Sequence, residues 1–166
     1  SLQAKLRTLL RRPELCFGLA ARQGEQVWLL YGEAEIAYHC IYADSKHYAM
    51  TELVGSVYER VFTHGELIIV EDLTTYTPRS AVEDALLQQG VRNLVVAPLL
   101  YQNTVIGALE LLSSLPGSLH AMNTVKLQEV LPLFAMAVQR STDEFDTRVQ
   151  AIIKEQCTAI HPAVEW

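Results

Sequence analysis

Few side chains in this sequence have types and spacings that could do chemistry. Cys16, Cys40 and Cys157 lie far apart, form no Cys-x-x-Cys pair and are odd in number, which does not fit a disulfide framework. A reducing, cytoplasmic setting is expected. Zinc sites need clustered His and Cys at short spacing. Only His39 and Cys40 are adjacent, and strand neighbours point to opposite faces, so Cys40 is expected to be buried and His39 exposed. Neither Cys16 nor Cys40 has an adjacent Lys or Arg that would obviously activate a thiolate. The phosphate-binding patterns GxGxxG and GxxxxGK[ST] are missing, as are GxSxG and HExxH. No metal and no cofactor is expected. Two charged residues remain. Arg79 could grip a carboxylate or phosphate with its fork, or pair with Glu83 or Asp84 at the start of a short helix. Glu110 faces away from Leu109 and Leu111, so it either reaches solvent or is a buried acid in a pocket wall.

The elements that must position these groups follow from periodicity and punctuation. Leu2–Arg12 reads as a short amphipathic helix ended by Pro13. Leu15–Ala21 and Val27–Tyr31 read as strands around the polar turn 23–26. Ile36–Tyr42 is a third strand or an irregular edge segment, and Asp44–Met50 has no clear period. Thr51 or Ser56 caps a helix that carries Leu53, Val54, Val57, Val61 and Phe62, and Gly65 closes it. Leu67–Val70 is a short strand and Asp72–Pro78 a polar loop. Ser80 and Glu83 have capping-box spacing for a helix over Ala81–Gln89. A long helix begins near Ala121–Asn123, with Asn123 as a cap, contains Pro132 and runs to about Thr158.

Gly90–Ser113 organises the chain. Two apolar runs, Arg92–Leu100 and Val105–Leu112, flank the connector Tyr101-Gln102-Asn103-Thr104, the pattern of a β-hairpin. Pro98 predicts a bulge or a break in pairing, and Gly107 predicts close backbone approach or another bulge. The string GVRN-LVVAPLL, a polar turn and VIGALELLS resembles the signature hairpin of the GAF family of small sensory domains, with Asn93 where Ser is common. Upstream, Ile68–Leu73 resembles the family strand that ends in Asp. The resemblance spans roughly Leu9 to Arg140. It implies an α+β fold with a mainly antiparallel sheet of five or six strands, helices packed on it and a long C-terminal helix. It also implies a pocket between one sheet face and the crossing segments Tyr38–Glu52 and Asp72–Arg79. Tyr42, His47, Tyr48, Asp72, Tyr76, Thr77, Arg79 and Glu110 are its candidate lining. Family subtypes that bind cyclic nucleotides, bilins or haem, or that reduce methionine sulfoxide, need residues this chain does not offer in context. The loop 88–91, for instance, has no cysteine.

Half of the 166 residues are hydrophobic and 19% are charged, enough for one packed domain, and the net charge of −6 attracts neither nucleic acid nor an anionic membrane. The basic cluster Lys5, Arg7, Arg11 and Arg12 reads as a solvated helix face. No apolar run reaches the roughly 20 residues of a membrane span. The expected organisation is an N-terminal helix at 1–12, a GAF-like domain at 13–140 and a helical extension at 141–166 leading towards a downstream region. Val138, Phe145, Val149 and Ile152 form a stripe for a homodimer through the terminal helices, or for packing on the helix Leu2–Arg12. The function expected is a non-enzymatic regulatory module that binds an unidentified small molecule and signals to an output domain. The alternatives are a non-binding dimerisation or spacer module and a thiol-dependent free methionine sulfoxide reductase.

Overall fold

The computed structural model describes the backbone at residues 8, 10, 15–32 and 47–160, and the side chains within these except 30–32, 122, 123 and 144–160. Six strands form one antiparallel sheet: β1 (Cys16–Gln23), β2 (Gln26–Gly32), β3 (His47–Ala49), β4 (Ile68–Val70), β5 (Asn93–Tyr101) and β6 (Thr104–Ser113). Their order is β3-β2-β1-β6-β5-β4. The helices are α1 (Val57–His64), α2 (Ala81–Gln88) and α3 (Ala121–Ile160). The fold is the α+β arrangement expected. β3 is a correction, because its three residues lie in the stretch without a period; an edge strand this short shows no alternation. Ile36–Tyr42, His39, Cys40 and Tyr42 lie outside the described residues.

The local signals act where the sequence puts them. Gln102 and Asn103 both have positive φ, 49° and 63°, the two-residue turn whose twist matches that of a hairpin. Gly107 is required by close approach, since a Cβ there would stand 2.3 Å from the Ala20 carbonyl oxygen on β1. Pro98 keeps its register opposite Ala108, and the irregularity falls one step later, between Leu99 and Leu100. β4 begins opposite Val96, so no strand flanks Pro98 on that side. Ser56 caps α1 by accepting the Glu59 N–H, and Gly65, left-handed at φ 66°, closes it with its N–H on the Val61 carbonyl. α3 begins at Ala121, so Asn123 lies in its first turn and is not the cap.

Alternation along β1, β5 and β6 divides the core in two. On one face Phe17, Leu19, Val95, Leu99, Leu109 and Leu111 meet Leu127, Phe134 and Val138 of α3. On the other Ala20, Leu94, Val96, Ala108 and Leu112 meet Val57, Tyr58, Val61 and Phe62 of α1 and Val82 and Leu86 of α2. Val138 is 0% exposed and packs toward Gly107. It is spent inside the domain, which corrects its assignment to a subunit interface. Phe145, Val149 and Ile152 lie beyond the described side chains.

Candidate functional site

Glu110 sits mid-sheet on the face that α1 and α2 cover, and only 3% of it is exposed. A carboxylate buried to this degree is costly unless hydrogen bonds hold it. The Tyr58 hydroxyl donates to its Oε1. Tyr58 is itself fully buried and comes from the first turn of α1. In the row of the sheet through Glu110, its neighbour on β1 is Gly18, and Gly18 faces Gly32 on β2. Beside the acid, therefore, two successive strands contribute no side chain.

A second buried carboxylate fixes the same end of α1. Glu83 of α2 is 1% exposed. Its Oε1 accepts the Val57 N–H at 3.3 Å, and the Ser80 hydroxyl donates to its other oxygen. Val57 opens α1, where backbone donors lack helical partners and negative charge is favoured. The spacing of Ser80 and Glu83 thus marks a helix start, as expected, but the carboxylate serves the neighbouring helix. α1 is held at its first N–H by one acid and at Tyr58 by another.

The remaining predicted residues divide into two groups. Tyr48 and Tyr76 are half-buried against the same core as Tyr58 and Glu110, and His47, exposed on β3, stacks on Trp28 with ring centroids 4.6 Å apart. Asp72, Thr77 and Arg79 do not join them. The Asp72 carboxylate accepts the Thr74 hydroxyl at 2.6 Å and the Thr74 N–H at 2.9 Å, and those two bonds, the hydroxyl first, hold its pKa below the usual carboxylate value. Arg79 donates to Asp84 at 2.7 Å and to the carbonyls of Leu73 and Thr74, so its fork braces the loop, the second of the two readings above. Thr77 is exposed. Sequence reasoning missed Tyr58 and the reach of Glu83. The signal for Tyr58 was its place beside Val57, Val61 and Phe62, a polar tip on an inward helix face. Asn93 is buried and ties two elements together, donating to the carbonyls of Val70 and Leu119 and accepting the Leu119 N–H.

A cleft of about 680 Å³ opens elsewhere, between the β1–β2 turn, the end of α1 and the β5–β6 turn. Its lining includes Arg22, Glu25 and His64 and none of the predicted pocket residues. Cys16 is half-buried and not in a disulfide. Among the described residues no cluster of His, Cys, Asp and Glu could hold a metal ion, and no helix is long and apolar enough to cross a membrane.

The hairpin, the six-strand order and the long closing helix define a GAF-type architecture. The GAF domain family model matches residues 5–138, and the chain belongs to that family. No curated protein matches the sequence. Solved structures share its fold at low identity. The GAF domain region of a putative membrane protein from Geobacter sulfurreducens has TM-score 0.63 and 15% identity, with 83% of this chain and 90% of that one covered. The type II free methionine-R-sulfoxide reductase from Thermoplasma acidophilum has TM-score 0.62 and 16% identity, covering 83% and 89%. A phycocyanobilin-bound GAF domain from a cyanobacterial phytochrome has TM-score 0.60 and 18% identity, covering 85% and 82%.

Proposed function

We propose that this GAF domain is a sensory, regulatory module that binds a small molecule on the α1–α2 face of its sheet, against Glu110 and Tyr58. It passes the binding event through its terminal helices to a neighbouring domain of a larger protein. The observation that carries this reading is a buried acid beside a two-glycine row, on the face that also gathers Tyr48 and Tyr76. A buried carboxylate persists only where donors hold it, and a few directed polar groups in an apolar wall are what a ligand pocket requires. Signalling of this kind demands that the ligand prefer one arrangement of the terminal helices. Phe145, Val149 and Ile152 would carry it across a homodimer.

Native mass spectrometry of the purified chain at rising collision energy tests the reading. The expected result is a dimer with an added mass that is lost on activation and missing from Tyr58→Phe. A protein with no added mass, unstabilised by any member of a metabolite panel, would return the domain to a dimerisation or spacer role. The module is proposed to turn nothing over. Reduction of free methionine sulfoxide that is abolished by Cys16→Ser with Cys40→Ser would make it a reductase instead.

A further inference from the structure

A second cleft, of about 390 Å³, lies between β5, the α1–β4 connection and α3. Its lining includes neither Glu110 nor Tyr58, and it is independent of the function proposed above. Leu67, Pro98, Leu100, Leu131 and Pro132 give it apolar walls, and Gly65 and Gln128 complete the lining. Its volume lies at the small end of the range for ligand pockets, roughly 300–1,000 Å³. Leu100 is 52% exposed although it belongs to a strand, because β4 begins only opposite Val96 and leaves that edge of β5 without a neighbour.

The two prolines give this cleft a one-sided polarity. Neither has an N–H, so the wall lacks two of the backbone donors a peptide segment would normally present. Pro132 lies inside α3, and the carbonyl it would have satisfied is that of Gln128, four residues earlier. Residues four apart share a helix face, so this acceptor and the proline ring stand on the same side of α3. Both residues line the cleft. The site therefore offers apolar surface and a backbone acceptor that lacks its usual helical donor four residues on.

We infer that this cleft binds a compact apolar molecule carrying one N–H or O–H donor, of the indole or phenol class, with the donor on the Gln128 carbonyl. Indole and 1-methylindole are the matched probes, differing only in that donor. In amide NMR titrations of the isotope-labelled full chain, indole is expected to give saturable shifts at Leu67, Leu100 and Leu131. 1-Methylindole is expected to bind about five-fold more weakly, the net value of one neutral hydrogen bond. Pro132→Ala restores the helical N–H at an exposed position with the best helix former, and should erase the difference between the two probes. Leu131→Trp should fill the cleft and abolish both, and Leu67→Phe provides the same test from the opposite wall. Equal affinity for the two probes would reduce the cleft to a greasy surface and overturn the assignment. So would an indole preference that survives Pro132→Ala, or the lack of any saturable shift.

Discussion

The two faces of the sheet are built by the same strands yet differ in kind. Toward α3 the packed side chains run from Phe17 and Leu109 to Phe134 and Val138, with the buried polar pair Asn93 and Ser113 at the end of the β5–β6 ladder. Toward α1 and α2 they include Tyr58, and the buried acids Glu110 and Glu83 lie on that side, each with a donor from another element. The α3 face closes the domain mainly by apolar burial, with Asn93 tying Leu119 to the sheet edge. The α1–α2 face carries polar groups that cost desolvation and return orientation. The two buried carboxylates thus lie on one side of the sheet and the larger apolar contact with α3 on the other.

Substitutions can break this contrast. The largest effect is expected on the apolar face. Phe134→Ala removes a ring that meets Phe17 edge-on at 6.3 Å, and should cost about 3–5 kcal/mol in urea unfolding while leaving ligand binding per folded molecule unchanged. Gly107→Ala should follow at about 3 kcal/mol, because the added methyl collides with backbone rather than with a side chain that could turn aside. Tyr58→Phe should cost about 1–3 kcal/mol by leaving Glu110 without that donor. Unlike the first two, it should also alter binding, as calorimetry with whatever ligand is retained would show. If Tyr58→Phe changed stability alone, the two faces would be equivalent after all.

The smallest effect concerns Asp72. Its pKa is depressed in the folded chain, so its contribution to stability is present above the ordinary carboxylate pKa and is lost as pH falls through the folded value. Thr74→Val removes the hydroxyl but keeps the N–H. Side-chain NMR titration should then show the Asp72 pKa rising toward the ordinary value, with neutral-pH stability nearly unchanged.

What the sequence made legible was local. Ser56, Gly65, Ser80 and the turn at Gln102 and Asn103 act on backbone within a few residues, so residue type alone announces them. Gly107 was legible as a close approach but not as an approach to Ala20, because strand neighbours are set by topology. The candidate site was half legible. A lone acid among leucines marked Glu110, but its partner Tyr58 lies 52 residues away on another element. Arg79 was ambiguous for the same reason: carbonyls in the preceding loop, which no side-chain pattern encodes, consume its donors.

The strand order has a consequence for how the domain assembles. β1, β2 and β3 form one local meander and β4, β5 and β6 another, and among the described residues the pairing of β1 with β6 is the strand contact that joins them. That seam links the first strand to the last, so the entropy of closing the longest loop in the sheet falls on a single ladder. The two meanders become one sheet where Gly18 lies opposite Glu110 and Ala21 opposite Gly107. The proposed binding acid thus stands on the ladder that joins the two meanders, where a ligand bound across it would act as a rivet between them.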